Sequence, residues 1–152
     1  RRKKHMQDLA TEDMARIVSR VTEPVLGMTF VAAVNGDAAI GDAWKTAALP
    51  INGTNPLTVA VSADDACARV LGGNMFGMEA AQVDEAMVAD ALCELVNMTA
   101  GLLKSAMAID QSLGLPSMRR PDLLSADDGG WKHHYLRAGA LNLVLAIATR
   151  IY

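Results

Sequence analysis

The longest helical pattern in the chain runs from about Gln82 to Ile109, and a helix of that length needs a surface to lie on. Met87, Ala91, Leu92, Leu95, Thr99, Leu102, Leu103 and Ala106 recur at roughly 100° per residue, so they form one apolar side. An apolar side of this kind is stable only when packed against another layer. The rest of the chain must supply that layer. Its 152 residues, 51% hydrophobic and 20% charged, suit one packed domain with a substantial core rather than disorder.

Strand-like segments surround the long helix. A first helix is expected over roughly Gln7–Val21, with Leu9, Met14, Ile17, Val18 and Val21 at helical spacing. Thr22-Glu23-Pro24 is expected to end or kink it, because proline lacks an amide donor and restricts the residue before it. Met28–Val34, Ala43–Ile51 and Leu57–Val61 read as three strands of a meander, separated by the turns Asn35-Gly36-Asp37 and Asn52-Gly53-Thr54-Asn55-Pro56. Ser62-Ala63-Asp64-Asp65 reads as a capping box opening a helix through Leu71, with Gly72-Gly73-Asn74 ending it. After the long helix come Leu113–Met118, the turn Asp127-Asp128-Gly129-Gly130, and His133–Ile151, long enough for a strand or two around Gly139. Helices segregated from an antiparallel sheet make an α+β fold: a largely antiparallel sheet with the long helix and two further helices packed on it. Residues 7–152 form the single domain, and the basic run Arg1–Met6 reads as a frayed arm or cloning remnant.

Several function classes fall away on composition. The formal net charge is −3, which gives no general attraction for nucleic acid or an anionic membrane surface. The apolar stretch Ala138–Thr149 is too short to span a bilayer, and no apolar signal core opens the sequence. Cys67 and Cys93 sit in helical apolar patterns without CxxC spacing, as buried thiols of a reducing cytoplasm do. A cytoplasmic location is the expectation.

The outer face of the long helix is the most informative surface. Asp90, Glu94 and Asn97 fall at i, i+4 and i+7, and Gly101 extends their row by one turn. A polar outer face is the ordinary finish of a helix on a core. Two residues set this one apart. Asparagine is a poor mid-helix residue that prefers caps and turns. Glycine in mid-helix costs about 1 kcal/mol against alanine, and its missing side chain leaves room for another protein. The pattern reads as a docking surface with an amide at its centre.

The run Asp90-Ala91-Leu92-Cys93-Glu94-Leu95-Val96-Asn97-Met98-Thr99-Ala100-Gly101 resembles the signature helix of the CheC, CheX and FliY chemotaxis phosphatases. That signature is an Asp or Ser, three residues, Glu, two residues, Asn, and a proline well downstream. The order of elements is similar too. One signature copy resembles CheX more than CheC-type proteins, which usually carry two. The downstream proline corresponds to Pro116, somewhat early, or Pro121, somewhat late; Pro116 is preferred because the family's proline sits in a similar strand-like segment.

The resemblance implies a CheC/CheX-like fold and a phosphatase acting on the phospho-aspartate of a CheY-like response regulator. Asn97 would orient the attacking water, and Glu94 would pair with the regulator's active-site lysine. Asp90 and Gly101 would belong to the docking face, with no catalytic role for Asp90. The protein would carry no cofactor or metal of its own, Mg²⁺ being held by the regulator. A homodimer is implied, with Ala138–Ile151 a candidate for strands that pair or exchange between subunits. The alternative is a non-catalytic binding module like the related domains of flagellar switch proteins.

Other motifs have plainer explanations. Neighbours on a strand point to opposite faces, so His133 and His134 cannot chelate one ion, and both are expected at the surface. Asp64-Asp65 and Asp127-Asp128 read as cap and turn residues. The nine methionines read as core filler. Gly72-Gly73-Asn74 lacks the lysine of a phosphate loop.

Overall fold

The computed structural model of the chain describes residues 9–33, 40–124 and 130–152. The basic run at 1–6, the Asn35-Gly36-Asp37 turn and residues 127–129 of the later turn lie outside them. Three helices, α1 (Thr11–Leu26), α2 (Asp65–Phe76) and α3 (Glu85–Ala106), cover one face of a six-stranded sheet. The strands are β1 (Val31–Ala32), β2 (Lys45–Ile51), β3 (Leu57–Ala63), β4 (Ser117–Arg119), β5 (Trp131–Ala138) and β6 (Leu141–Ala148). Their order is β1-β5-β6-β3-β2-β4, with every pairing antiparallel. This is the expected α+β fold.

Both faces of the sheet are covered. Ala47, Leu49, Val59, Val61, Leu143 and Leu145 point into the core under the helices. Ala48, Ala60, Val144 and Ala146 point the other way, beneath Trp44, Leu124 and Trp131. A strand buried on both sides reads as a continuous apolar run rather than an alternation. This explains why the sequence after His133 alternates poorly although it forms a regular hairpin, β5–β6, turning at Gly139.

Several expected boundaries move, each for a physical reason. α1 runs through Pro24 to Leu26, because Thr22 and Leu26 are buried while Pro24 faces solvent. It ends where the amides of Gly27 and Met28 donate to the carbonyls of Glu23 and Thr22. α2 continues through Gly72 and Gly73 to Phe76. Those glycines serve close packing, not termination. A Cβ on Gly72 would lie 2.8 Å from Val83 Cγ1, and one on Gly73 would lie 2.6 Å from the Met78 carbonyl oxygen. Asn74 donates its amide to the Leu26 carbonyl at 2.8 Å. The turn falls instead at Gly77, which takes the left-handed φ of +65°. The expected capping box does not form, since Ser62 and Ala63 belong to β3. Asp64 caps α2 alone by accepting from the Cys67 amide at 2.8 Å.

The expected meander is also broken. β2 and β3 form a hairpin, but β1 lies at the far side of the sheet against β5. Most of Met28–Val34 is not strand, because α1 side chains satisfy its backbone. The Ser19 hydroxyl accepts from the Phe30 amide at 2.9 Å and donates to the Phe30 carbonyl at 3.1 Å; Thr22 donates to the Met28 carbonyl at 2.6 Å. β6 is central, paired on one side with β5 and on the other with β3. The Ala138–Ile151 segment therefore offers no free strand edge for a second subunit to pair with. The sheet edges are β1 and β4.

α3 lies along β2. The Lys45 ammonium meets the Glu85 carboxylate at 3.0 Å, joining the start of the helix to the start of the strand. Beyond the helix, Asn52 N donates to Ser112 O, and Gln111 both accepts from and donates to the Asn55 backbone, at 3.0 and 2.8 Å. The helix and strand therefore run in the same direction. By length and composition alone α3 would cross a membrane, but here its apolar side is a core element against the sheet and the other helices.

Candidate functional site

α3 begins at Asp84, whose side chain accepts from the Met87 amide at 2.9 Å. Val88, Ala91, Leu92, Leu95, Val96, Thr99, Ala100 and Leu103 are buried beneath it. Of the stripe read from the sequence, Met87 and Leu102 are only half-buried, because the helix rotates its contact toward Val96 and Ala100; Ala106, in line with buried Val88, is exposed as the last residue of the helix. At 3.6 residues per turn the row Asp90, Glu94, Asn97, Gly101 stays within about 60° of arc and spans roughly 17 Å. It lies opposite the buried side. Asp90 and Glu94 are exposed, and Asn97 and Gly101 are half-buried.

None of the three polar side chains in the row makes a hydrogen bond or ion pair among the described residues. Other exposed charges pair within the molecule, as Arg69 does with Asp65 and Arg120 with Asp122. The Asn97 amide is thus free to donate and accept at once, and the Glu94 carboxylate is free to meet a cation. Cys93 lies on the flank of this row, half-buried. Burial, and then the charge of Asp90, raise its pKa, so it stands as a thiol rather than a nucleophilic thiolate. Met98, 38% exposed, borders the other flank one turn from Glu94. The sequence reading passed over it, because its place at the margin of the apolar stripe made it look like core.

Pro116 sits just before β4, half-buried, and Pro121 opens a short 3-10 turn after it. Neither touches the row on α3 by any hydrogen bond. The two histidines differ from expectation. His133 is half-buried, its Nε2 2.7 Å from the Leu124 carbonyl. His134 is 1% exposed, with Nδ1 3.0 Å from the Thr11 hydroxyl. It faces inward because β5 turns alternate residues toward α1. Burial, then the charges of Lys132 and His133, hold it down to about 4, so it is neutral at pH 7. Cys67 is buried and pushed up to about 12 by desolvation, with Asp64 adding to the effect. Among the described residues no group of three or more His, Cys, Asp or Glu side chains is placed to hold a metal ion. What α3 presents is a carboxylate and an amide, one turn apart, pointing away from the protein.

Comparison with known proteins gives this face a context. The sequence profile of the family described as chemotaxis phosphatase CheX matches residues 46–133. A search of curated proteins finds no match. Among solved structures, the CheX of a CheX–CheY–BeF3–Mg²⁺ complex from Borrelia burgdorferi superposes with a TM-score of 0.71 at 14% identity, over 99% of this chain and 100% of that one. A putative chemotaxis protein from Desulfovibrio vulgaris Hildenborough gives 0.68 at 16% identity, over 89% and 92%. The FliM middle domain from H. pylori gives 0.62 at 9% identity, over 91% and 86%. The profile covers more than half of the sequence and the whole of α3, and the chain belongs to the CheX family of chemotaxis phosphatases.

Proposed function

We propose that the chain hydrolyses the aspartyl phosphate of a CheY-like receiver domain that docks on the outer face of α3. The observation that carries this is that Glu94 and Asn97 have no partner among the described residues, on a helix whose other side is packed into the core. Phosphoryl transfer asks mainly for positioning and charge stabilisation. Asn97 enters the receiver's site and orients a water in line with the acyl phosphate. Glu94 pairs with the receiver's active-site lysine and sets the register of docking. Asp90 adds charge at the rim, and Gly101 admits the partner's backbone. The receiver brings the phosphoaspartate and its Mg²⁺. Support for the partner comes from the Borrelia protein of the same fold, which was solved with CheY, BeF3 and Mg²⁺. The protein acts in the cytoplasm, as a homodimer.

The test is phosphate release from a panel of phosphorylated receivers by the wild type and by Asn97→Ala, with thermal melting of both. Losing a transition-state hydrogen bond should lower turnover about 10²–10³-fold. Melting should stay level or rise slightly, because alanine is the better helix former. Full activity in the variant, or a large fall in melting temperature, would remove Asn97 from catalysis. A second reading is favoured by the likeness to FliM: a binding module that holds a partner without hydrolysing it. On that reading receivers bind, but phosphate release never exceeds their own rate.

A further inference from the structure

We infer that Leu115 is a specificity-determining contact for the same receiver, pushed out of the sheet edge by a bulge; this rests on the receiver-phosphatase reading. Two registers define the bulge. Ala48 lies opposite Ser117, and Ile51 opposite Leu113. From Ala48 to Ile51 is a step of three residues, whereas from Leu113 to Ser117 is a step of four. Gly114, Leu115 and Pro116 therefore oppose only Leu49 and Pro50, and the edge strand holds one residue too many. Bulges of this kind re-aim side chains and end strand pairing.

The bulge is braced rather than loose. The Gly114 amide donates to the Pro50 carbonyl at 2.6 Å. A Cβ on Gly114 would lie 2.5 Å from Pro50 Cγ, so only glycine fits there. Gln111 clamps the preceding turn through both its bonds to Asn55. Pro116 has no amide to give and leads directly into β4. Held at both ends, Leu115 is 87% exposed, the most of any large hydrophobic side chain among the described residues. A lone exposed leucine usually needs no explanation. This one projects from a fixed backbone that leads directly into β4, the edge strand in contact with α3.

Its level along the sheet follows from the Lys45–Glu85 pair. Pro50 lies five residues past Lys45, roughly 17 Å along a strand that rises about 3.3 Å per residue. Covering roughly 17 Å along α3, at 1.5 Å per residue, takes about eleven residues from Glu85 and arrives beside Asn97. β4 and α3 are in contact, and Met118, opposite Ala47 and so on the helix side, is 37% exposed. A partner seated on Glu94 and Asn97 meets this apolar margin. A second copy of the chain is the poorer occupant, because the bulge and Pro116 deprive this edge of a continuous ladder to extend.

The experiment compares wild type, Leu115→Asp and Leu115→Met in receiver titration, steady-state dephosphorylation, melting and sedimentation. The expected result is a rise in KM and Kd of tenfold or more for Leu115→Asp, with the rate at saturation and the melting temperature little changed and Leu115→Met near wild type. An unchanged KM in Leu115→Asp, while Asn97→Ala still loses its rate, overturns the inference and leaves the phosphatase reading standing. A wild type that neither binds nor dephosphorylates any receiver overturns both. A change in sedimentation without a change in receiver affinity assigns Leu115 to self-association and overturns the inference.

Discussion

Gly101 should respond to substitution in two opposite ways. It lies in mid-helix, outside the set of glycines with positive φ, so its backbone asks for no special residue. A Cβ added there meets nothing within 4 Å. Among the described residues no packing reason for glycine exists, and Gly101→Ala should therefore recover the helix-propensity difference, about 1 kcal/mol. For a domain of this size that is a rise in melting temperature of roughly 2–4 °C. Docking should move the other way. If a receiver's backbone passes over this window, a glutamine there intrudes on a close contact, and overpacking costs about 1–3 kcal/mol. That corresponds to a loss of affinity of roughly five- to 150-fold. The assay pairs thermal melting with titration of a phosphorylated receiver for Gly101→Ala and Gly101→Gln. A lower melting temperature in the alanine variant would reveal hidden packing. An unaltered affinity in the glutamine variant would show that no partner approaches this turn.

Three further expectations follow from particular side chains. Glu94→Lys should weaken receiver binding by setting like charges together, with melting unchanged because the position is exposed; equal affinities in titration would take Glu94 out of docking. His134 makes stability acid-sensitive. Its folded pKa is lowered to about 4 from an ordinary 6.5, so the stabilisation is complete above about 6.5 and is lost as pH falls toward 4. By pH 5 the loss is about 2 kcal/mol, and chemical denaturation at pH 7.5 and pH 5 should show it in wild type but not in His134→Gln; parallel pH dependences would refute it. Sedimentation at micromolar concentration should show a homodimer that does not use β6 as a free edge. A monomer alone would count against it.

How far the fold could be read from the sequence depends on the range of each signal. α3 was legible because its period repeats over six turns, and one residue's noise cannot hide it. Its outer row was legible for the same reason: a helix that fixes its buried side fixes the opposite side too. β1 was not legible in its pairing, since its partner β5 lies about a hundred residues away and nothing in Val31–Ala32 names it. Pro24 and Gly72-Gly73 misled because proline and glycine carry strong local preferences that tertiary packing overrode. In α1 buried Thr22 and Leu26 hold the helix past the proline, and in α2 Val83 and Met78 need the space of two missing side chains. His134 was misplaced because a histidine's burial depends on which strand face turns toward α1. The bulge at Leu115 needs two registers to be seen, and a sequence contains neither.

The unpaired side chains on α3 also bear on how such a protein can change over generations. Asp90, Glu94 and Asn97 make no hydrogen bond or ion pair among the described residues, so their replacement should shift stability by no more than about 0.5 kcal/mol. A lineage can lose the amide, alter the carboxylate or take up a new partner while the sheet and its three helices persist. Selection on the face and selection on the core are then nearly independent. The FliM middle domain from H. pylori, alike in fold at 9% identity, shows how different the sequences on one scaffold can be.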